Sequence, residues 1–134
     1  MTSTTPAGSS VRAELQPDVD EFIDDLRTFA TGSYLNDSDK ELWEQPFDPE
    51  ALPELKKLIE MFLDAVDLLE PAPDATRLIS LVTPFYDNLE AFNAKHEYAV
   101  LEPEEKAELE DLVRRAAVAI GAEDEAVGEL PEFE

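Results

Sequence analysis

The amino-acid sequence predicts an all-α protein: an antiparallel four-helix bundle with an extra short helix in the first crossover and a proline kink in the third main helix. Apolar residues recur at the spacing of a helix face in four long segments, and no segment reads as a β-strand. Mostly short connections join these segments, as in bundles whose successive helices run antiparallel. Hydrophobic residues make up 43% of the chain, which is enough to build a core.

The 134 residues have room for one domain. Residues 1–16 are rich in Ser, Thr, Ala and Gly without helical periodicity, so we expect a disordered N-terminal tail there. Residues 17–121 carry the amphipathic segments and are expected to form a single helical-bundle domain. Residues 122–134 are acidic, and we expect them to form a flexible C-terminal tail.

The first main helix is predicted to begin near Asp18, because Asp18 and Glu21 have the spacing of a capping box. Gly32 follows the last apolar residue, at the position where glycine often ends a helix in the left-handed conformation. The apolar stripe of this helix consists of Val19, Phe22, Ile23, Leu26, Phe29 and Ala30.

The connection after this helix contains a second capping box, Ser38 with Glu41, which predicts a short helix over about residues 39–45. Trp43 and Phe47 carry much apolar area for a connecting segment, so we expect them to fold onto the core as a lid. Three prolines prevent one continuous helix here: Pro46, Pro49 and Pro53.

The second main helix is predicted over residues 53–70, where the helical pattern is strongest. Its apolar arc is wide, which favours packing against neighbours on two sides. The central stripe consists of Leu55, Leu58, Ile59, Phe62, Val66 and Leu69.

The third main helix is predicted to begin at Asp74 and to reach His96. Pro84 lies in its middle and has no N–H to bond the carbonyl of Ser80. The apolar stripe keeps its phase across Pro84, which favours one kinked helix over two separate helices.

The fourth main helix begins at Pro103, with Glu104 and Glu105 in the first turn, where the helix dipole favours acids. Gly121 is expected to end it. Its inward residues are predicted to be Leu109, Leu112, Val113, Ala116 and Ile120.

The net charge is the strongest compositional signal. Asp and Glu total 33 against 10 Lys and Arg, which gives a formal charge of −23. Such a chain repels nucleic-acid phosphates and anionic lipids, so we predict no direct binding of nucleic acid or membrane. A basic protein partner would instead be attracted and steered. The same charge is also expected of a protein adapted only for solubility or for a salt-rich environment.

Localisation is predicted from what the sequence lacks. It contains no cysteine, which fits a reducing cytoplasm. The first ten residues contain no apolar run of the kind found in secretory signals. A run of ~18 apolar residues, as a membrane span requires, is also absent. We therefore expect a cytoplasmic protein, whose oligomeric state the sequence leaves open.

Catalytic and metal-binding motifs find little support. His96 is the one histidine and lies on the core-facing stripe, so we interpret it as structural. Asp37, Asp39 and Glu41 match the first ligand positions of a calcium loop, but Leu42 stands where that loop requires glycine. We therefore predict no catalytic residue, no cofactor and no metal site.

Three functional hypotheses follow. The preferred one is a non-enzymatic protein–protein interaction module whose candidate surface contains Trp43, Phe47 and Tyr34. The first alternative is an anionic inhibitor of a basic protein, such as an immunity protein, an antitoxin or a DNA mimic. The second alternative is a small-ligand-binding bundle with a pocket at the Pro84 kink. The residues of that candidate pocket are Phe85, Tyr86, Phe92 and His96.

Overall fold

The computed structural model describes residues 10–133, which form six α-helices, one 3-10 turn at Pro49–Ala51 and no strand. The prediction of an all-α fold is confirmed, whereas the antiparallel four-helix arrangement stays a prediction. None of the helices in this described range combines the length and the apolar character needed to cross a bilayer. The helices are α1 (Val11–Thr31), α2 (Asp37–Lys40), α3 (Leu52–Asp67), α4 (Ala75–Lys95), α5 (Pro103–Ala119) and α6 (Asp124–Gly128).

Helix α1 begins before the predicted start at Asp18. Ser10 caps it, because its side-chain oxygen accepts a hydrogen bond from the Ala13 N–H at 2.9 Å. The expectation of a tail through residue 16 is therefore wrong for residues 11–16, while residues 1–9 lie outside the described range. The helix also continues through Pro17, which lies inside α1 without ending it.

A carboxylate from another helix holds the start of α1 in place. Asp67, at the end of α3, accepts hydrogen bonds from the Val11 N–H at 2.6 Å and the Arg12 N–H at 3.1 Å. These donors have no partner within their own helix, because the first four N–H groups of a helix lack one. The early start of α1 is thus stabilised by a tertiary contact that the local sequence pattern does not contain.

Helix α3 is central to the core. It contacts α1, α4 and α5. Leu52, Leu55, Ile59 and Leu63 on this helix are fully buried. Both ends lie within a few residues of the predicted bounds, and the expectation of neighbours on two sides is confirmed.

The connection between α1 and α3 differs from its prediction in detail. Asn36 caps α2 by accepting the Asp39 N–H at 2.9 Å, so the helix starts earlier than the Ser38 box predicted and ends at Lys40. Gly32 ends α1 with φ of 68°, as predicted. A Cβ at Gly32 would lie 2.9 Å from the Trp43 ring, so glycine is required both by the backbone and by this close approach.

Helix α4 runs without interruption through Pro84, which confirms one helix over two. Asp74 caps it by accepting the Arg77 N–H at 2.9 Å, as predicted. The Pro84 side chain is exposed, so its ring lies toward solvent and not in the core. The size of any bend at this residue stays a prediction.

Residues 124–133 pack onto the helices, contrary to the flexible tail predicted over residues 122–134, of which Glu134 lies outside the described range. Residues Asp124–Gly128 form α6, which contacts α4 and α5. Phe133 is only 5% exposed and stacks on Tyr86 with ring centroids 4.8 Å apart. Its N–H donates to the Glu110 carboxylate at 2.9 Å. The acidic composition did not indicate this packing, because a single buried aromatic residue, Phe133, is enough to hold the short segment against the helices.

Candidate functional site

The three residues of the predicted interaction surface lie near the end of α1, but they differ in exposure. Phe47 is buried and Trp43 is half-buried against Gly32, so these two side chains mainly cover the core. Tyr34 is 54% exposed and stacks on Phe29, with ring centroids 6.4 Å apart. Phe29, which the sequence pattern assigned to the core, is itself 43% exposed.

The aromatic residues of the predicted kink pocket are packed inside the protein. Phe85 stacks on Phe62 with ring centroids 4.4 Å apart, and Tyr86 stacks on Phe133. Phe92 is also buried. Burial raises the pKa of the Tyr86 hydroxyl far above its usual value. The space beside these rings is therefore occupied by other side chains of the same chain.

His96 is half-buried where α4 ends, with its ring centroid 4.7 Å from that of Phe92. Its Nε2 atom is buried, and no hydrogen-bond partner for it lies among the residues that the structure describes. The neighbouring Asn93 is used structurally. Its amide donates to the carbonyl of Leu101 and accepts the N–H of the same residue, both at 2.9 Å. The geometry therefore assigns Asn93 to holding the connection before α5 and gives His96 no relay partner.

A groove between α1 and α5 is a concave feature that the sequence analysis did not predict. It contains two adjoining depressions of about 430 and 260 Å³, which share Phe22, Asp25 and Glu108 and are therefore continuous. We call it the α1–α5 groove. Its apolar floor consists of Phe22, Leu26, Phe29, Leu109 and Leu112.

The groove exists because α1 packs closely on α3 and touches α5 at fewer points. On α1, Val19 and Ile23 are buried in the core, whereas Phe22 is only half-buried and Phe29 is exposed. The apolar arc of α1 is thus wider than the area that α3 and α5 cover. The uncovered part of that arc forms the floor of the groove.

Carboxylates form both walls of the groove. Among the side chains that the structure describes, none of the six below takes part in an ion pair. We call these six residues the groove carboxylates. They are Glu21, Asp25, Glu102, Glu104, Glu105 and Glu108.

Two of the groove carboxylates, Glu108 and Glu105, have raised pKa values. Burial raises the pKa of Glu108, and the negative charges of Asp25 and Glu104 raise it further. Burial also raises the pKa of Glu105, although a hydrogen bond from the Glu102 N–H opposes this rise. An incoming cation would therefore relieve repulsion that the folded chain leaves uncompensated.

The opposite end of the groove is partly neutralised within the chain. Arg115 pairs with Asp18 at 2.8 Å and with Asp111 at 3.9 Å. Arg114 pairs with Glu110 at 3.1 Å. A further depression of about 340 Å³ adjoins this end, and its apolar lining is Leu15, Val118 and Ala119. At ~1.5 Å per residue, the distance along α1 from Leu15 to Phe29 is roughly 21 Å.

The α1–α5 groove has the chemistry of a binding surface. Its floor can bury apolar side chains, and its walls offer charged acceptors to ammonium or guanidinium groups. Within residues 10–133, no three histidine or carboxylate side chains converge closely enough to hold a metal ion.

One sequence signal for the groove was present. Glu104 and Glu108 are four residues apart, a spacing at which like charges destabilise a helix, and no basic residue lies one turn from Glu108 to offset them. The sequence does not show that α1 and α5 lie side by side, and without that contact the groove could not be predicted.

Comparison with known proteins gives no significant match: no family model, no curated protein and no solved structure matches this chain.

Proposed function

We propose that this protein is a non-enzymatic interaction module, and that its α1–α5 groove binds a basic, amphipathic helical segment of a partner protein. The observation that carries the proposal is the set of six carboxylates around an apolar floor, none of which forms an ion pair with a side chain that the structure describes. This surface replaces the predicted one around Trp43 and Phe47, because those two side chains are largely used to cover the core.

The dimensions and chemistry of the groove suit a helix. A segment of about 14 residues spans roughly 21 Å as an α-helix. Its apolar side chains would lie on Phe22, Leu26 and Phe29. The long stems of Lys and Arg can cross apolar area while their charged ends reach the carboxylates. Contacts of this kind combine apolar burial with charge complementarity, which raises both affinity and association rate.

The charge of the whole chain favours a basic protein as partner over nucleic acid or anionic lipid. At −23, the chain repels nucleic-acid phosphates and anionic lipid headgroups. A basic protein segment is the class of partner that this field attracts over a distance set by the ionic strength.

The finer architecture and the location form part of the same proposal. We place α1, α3, α4 and α5 as the main helices of an antiparallel four-helix bundle, in which α1 packs more closely on α3 than on α5. The opposed order of the lining residues supports this, since Glu14 shares a depression with Val118 while Phe29 shares one with Glu104. We propose a cytoplasmic location, which the lack of cysteine supports.

Fluorescence anisotropy with a labelled peptide tests the proposal. The probe is a 14-residue helical peptide with Leu on one face and Lys and Arg on the other. The triple variant Asp25→Asn, Glu104→Gln, Glu108→Gln removes three groove charges without changing side-chain size. We expect its Kd for the peptide to rise about tenfold or more at an ionic strength of about 0.15 M.

A matched control separates the groove from the total charge. The variant Glu41→Gln, Glu70→Gln, Asp87→Asn removes three exposed carboxylates elsewhere, so its net charge equals that of the groove variant. We expect its Kd to stay within about twofold of the wild type, because distant exposed charges are screened. Equal losses in both variants would show attraction by total charge alone and would refute a specific site.

An anionic inhibitor of a nucleic-acid-binding protein is the second candidate. The observation that favours it is the pair of facing acidic walls, with Glu21 and Asp25 on one helix and Glu104 and Glu108 on the other. Once a natural basic partner is captured, duplex DNA should compete with this protein for the same segment. Simultaneous binding of DNA and this protein would exclude the inhibitor role while leaving the interaction module intact.

A further inference from the structure

The two ends of the α1–α5 groove differ in charge, and this difference gives the groove a direction. Near Phe29, the lining contains Glu102, Glu104, Glu105 and Glu108 together with two phenylalanines and a leucine. Near Val118, the lining contains Arg114 and Arg115 with one carboxylate, Glu14, beside Leu15 and Ala119. Acidic residues thus have no basic residue among them at one end, whereas two arginines offset part of the acidic charge at the other.

The acidic end combines an apolar floor with carboxylate walls. Its depression of about 260 Å³ has Phe22, Leu26 and Phe29 on the floor and carboxylates around them. The exposed rings of Phe29 and Tyr34 stack at the mouth, with an angle of 13° between their planes. A guanidinium or ammonium group there would meet both aromatic faces and charged acceptors, and each type of contact attracts cations.

The Val118 end is less favourable for a cationic side chain. Arg115 is already held between Asp18 and Asp111, and Arg114 is held by Glu110. A partner lysine placed here would approach both arginines, and the lining offers it one carboxylate, Glu14. Val118 is 59% exposed, so an apolar contact is also available at this end.

We infer that the groove binds its partner segment in one direction, with the cationic half at the Phe29 end and an apolar or acidic half at the Val118 end. This inference rests on the proposed function of the groove. It narrows the partner from any basic amphipathic helix to one whose positive charge is concentrated in one half.

Two peptides of identical composition test the direction. Both carry the same apolar face, but one has all its Lys in one half and all its Glu in the other, whereas the second distributes Lys and Glu evenly. We expect the segregated peptide to bind about tenfold more tightly. The even peptide places some Glu at the acidic Phe29 end and some Lys at the arginine-containing Val118 end, and both contacts are unfavourable. Equal affinities would overturn the inference.

A nitroxide label on either end of the segregated peptide gives the orientation directly. With the label on the Lys end, paramagnetic broadening should affect the amides of Phe29 and Tyr34. With the label on the Glu end, it should affect the amides of Val118 and Ala119. Broadening of both groups by each label, or the reverse assignment, would overturn the inference.

The variant Arg114→Gln, Arg115→Gln provides a positive test, because it frees Asp18, Glu110 and Asp111 and makes both ends acidic. We expect the even peptide to bind this variant several-fold more tightly than the wild type. An unchanged or weaker affinity would count against the inference. If neither peptide binds the wild type, the proposed function itself fails; if both bind without a preferred direction, only the inference fails.

Discussion

Helix α1 has two acidic faces that the protein treats in opposite ways. Toward α3, Arg12 pairs with Asp64 at 2.7 Å and with Glu60 at 3.4 Å. Lys56 pairs with Asp20 at 3.3 Å on the same side. Toward α5, the groove carboxylates face one another, and the described side chains supply no cation between them.

The contrast shows that the chain compensates its acidic residues in one place and leaves them uncompensated in another. Where α1 and α3 close on each other, Arg12 and Lys56 pair with three facing acids and offset part of their charge. Where α1 and α5 stay apart, Arg115 pairs with Asp18 at one end, but no described basic side chain pairs with the groove carboxylates. The few basic residues therefore decide which acidic surface is compensated within the chain and which one, in our proposal, is available to a partner.

Truncating aromatic residues at matched positions should produce the largest difference. Phe62 is buried and stacked on Phe85, whereas Phe22 lies half-buried on the groove floor. We expect Phe62→Ala to lower the free energy of unfolding by about 3–5 kcal/mol. Phe22→Ala should lower it by about 1–2 kcal/mol, because less area is buried there. Urea denaturation measures both, and equal losses would show that the groove floor is part of the closed core.

Removing the carboxylate that caps α1 should have the next largest effect. Asp67→Ala leaves the Val11 and Arg12 N–H groups without their acceptor, and we expect a loss of about 1–2 kcal/mol. The control Asp64→Ala removes only an exposed ion pair with Arg12 and should cost less than about 1 kcal/mol. If the control costs as much as Asp67→Ala in urea denaturation, the cap is not what holds the start of α1.

The two faces should respond to acid with opposite signs. Glu105 and Glu108 have pKa values above their ordinary 4.5, so the folded state binds protons more readily than the unfolded state. Their contribution to stability should therefore rise as the pH falls through the raised pKa values toward 4.5. Hydrogen bonds from Gln16 and Lys56 lower the pKa of Asp20 below 3.8, so its contribution should be lost as the pH falls through that lowered value.

Urea midpoints across this pH range check the sign. The double variant Glu105→Gln, Glu108→Gln should show a smaller gain on acidification than the wild type, because it lacks the two titrating groups. An identical pH profile in the double variant would mean that the groove does not raise these pKa values.

Neutralising one carboxylate on the α5 side and one on the α3 side should give the smallest changes in the free energy of unfolding, and the two changes should have opposite signs. Glu108→Gln removes repulsion from Asp25 and Glu104, so we expect a gain of about 0.2–0.5 kcal/mol. Glu60→Gln removes an ion-pair partner of Arg12, so we expect a loss of about 0.5–1 kcal/mol. Thermal unfolding of the two variants compares them, and a shift of the same sign in both would contradict the difference between the faces.

Local sequence signals predicted the elements that are stabilised locally. Asp74 as the cap of α4, Gly32 as the end of α1 and Pro103 at the start of α5 are all confirmed. In each case the deciding group lies within one helical turn of the boundary that it sets.

The features that were missed depend on contacts between distant residues. The first turns of α1 are held by Asp67, and the C-terminal segment is held by the stacking of Phe133 on Tyr86. Periodicity also placed Phe22 and Phe29 on an apolar face without showing how far the next helix would stand from them. The groove arises from that distance, which only the packed structure contains.

A map of the bound peptide on the protein is the most direct test of whether the groove is a binding site. The measurement is the change in amide chemical shifts of the isotope-labelled protein when the 14-residue basic amphipathic peptide is added. We expect the largest changes in residues 15–29 of α1 and residues 103–119 of α5, with little change in α3. Changes centred on the faces of α3 and α4, or changes spread evenly over all acidic surfaces, would contradict a binding site between α1 and α5.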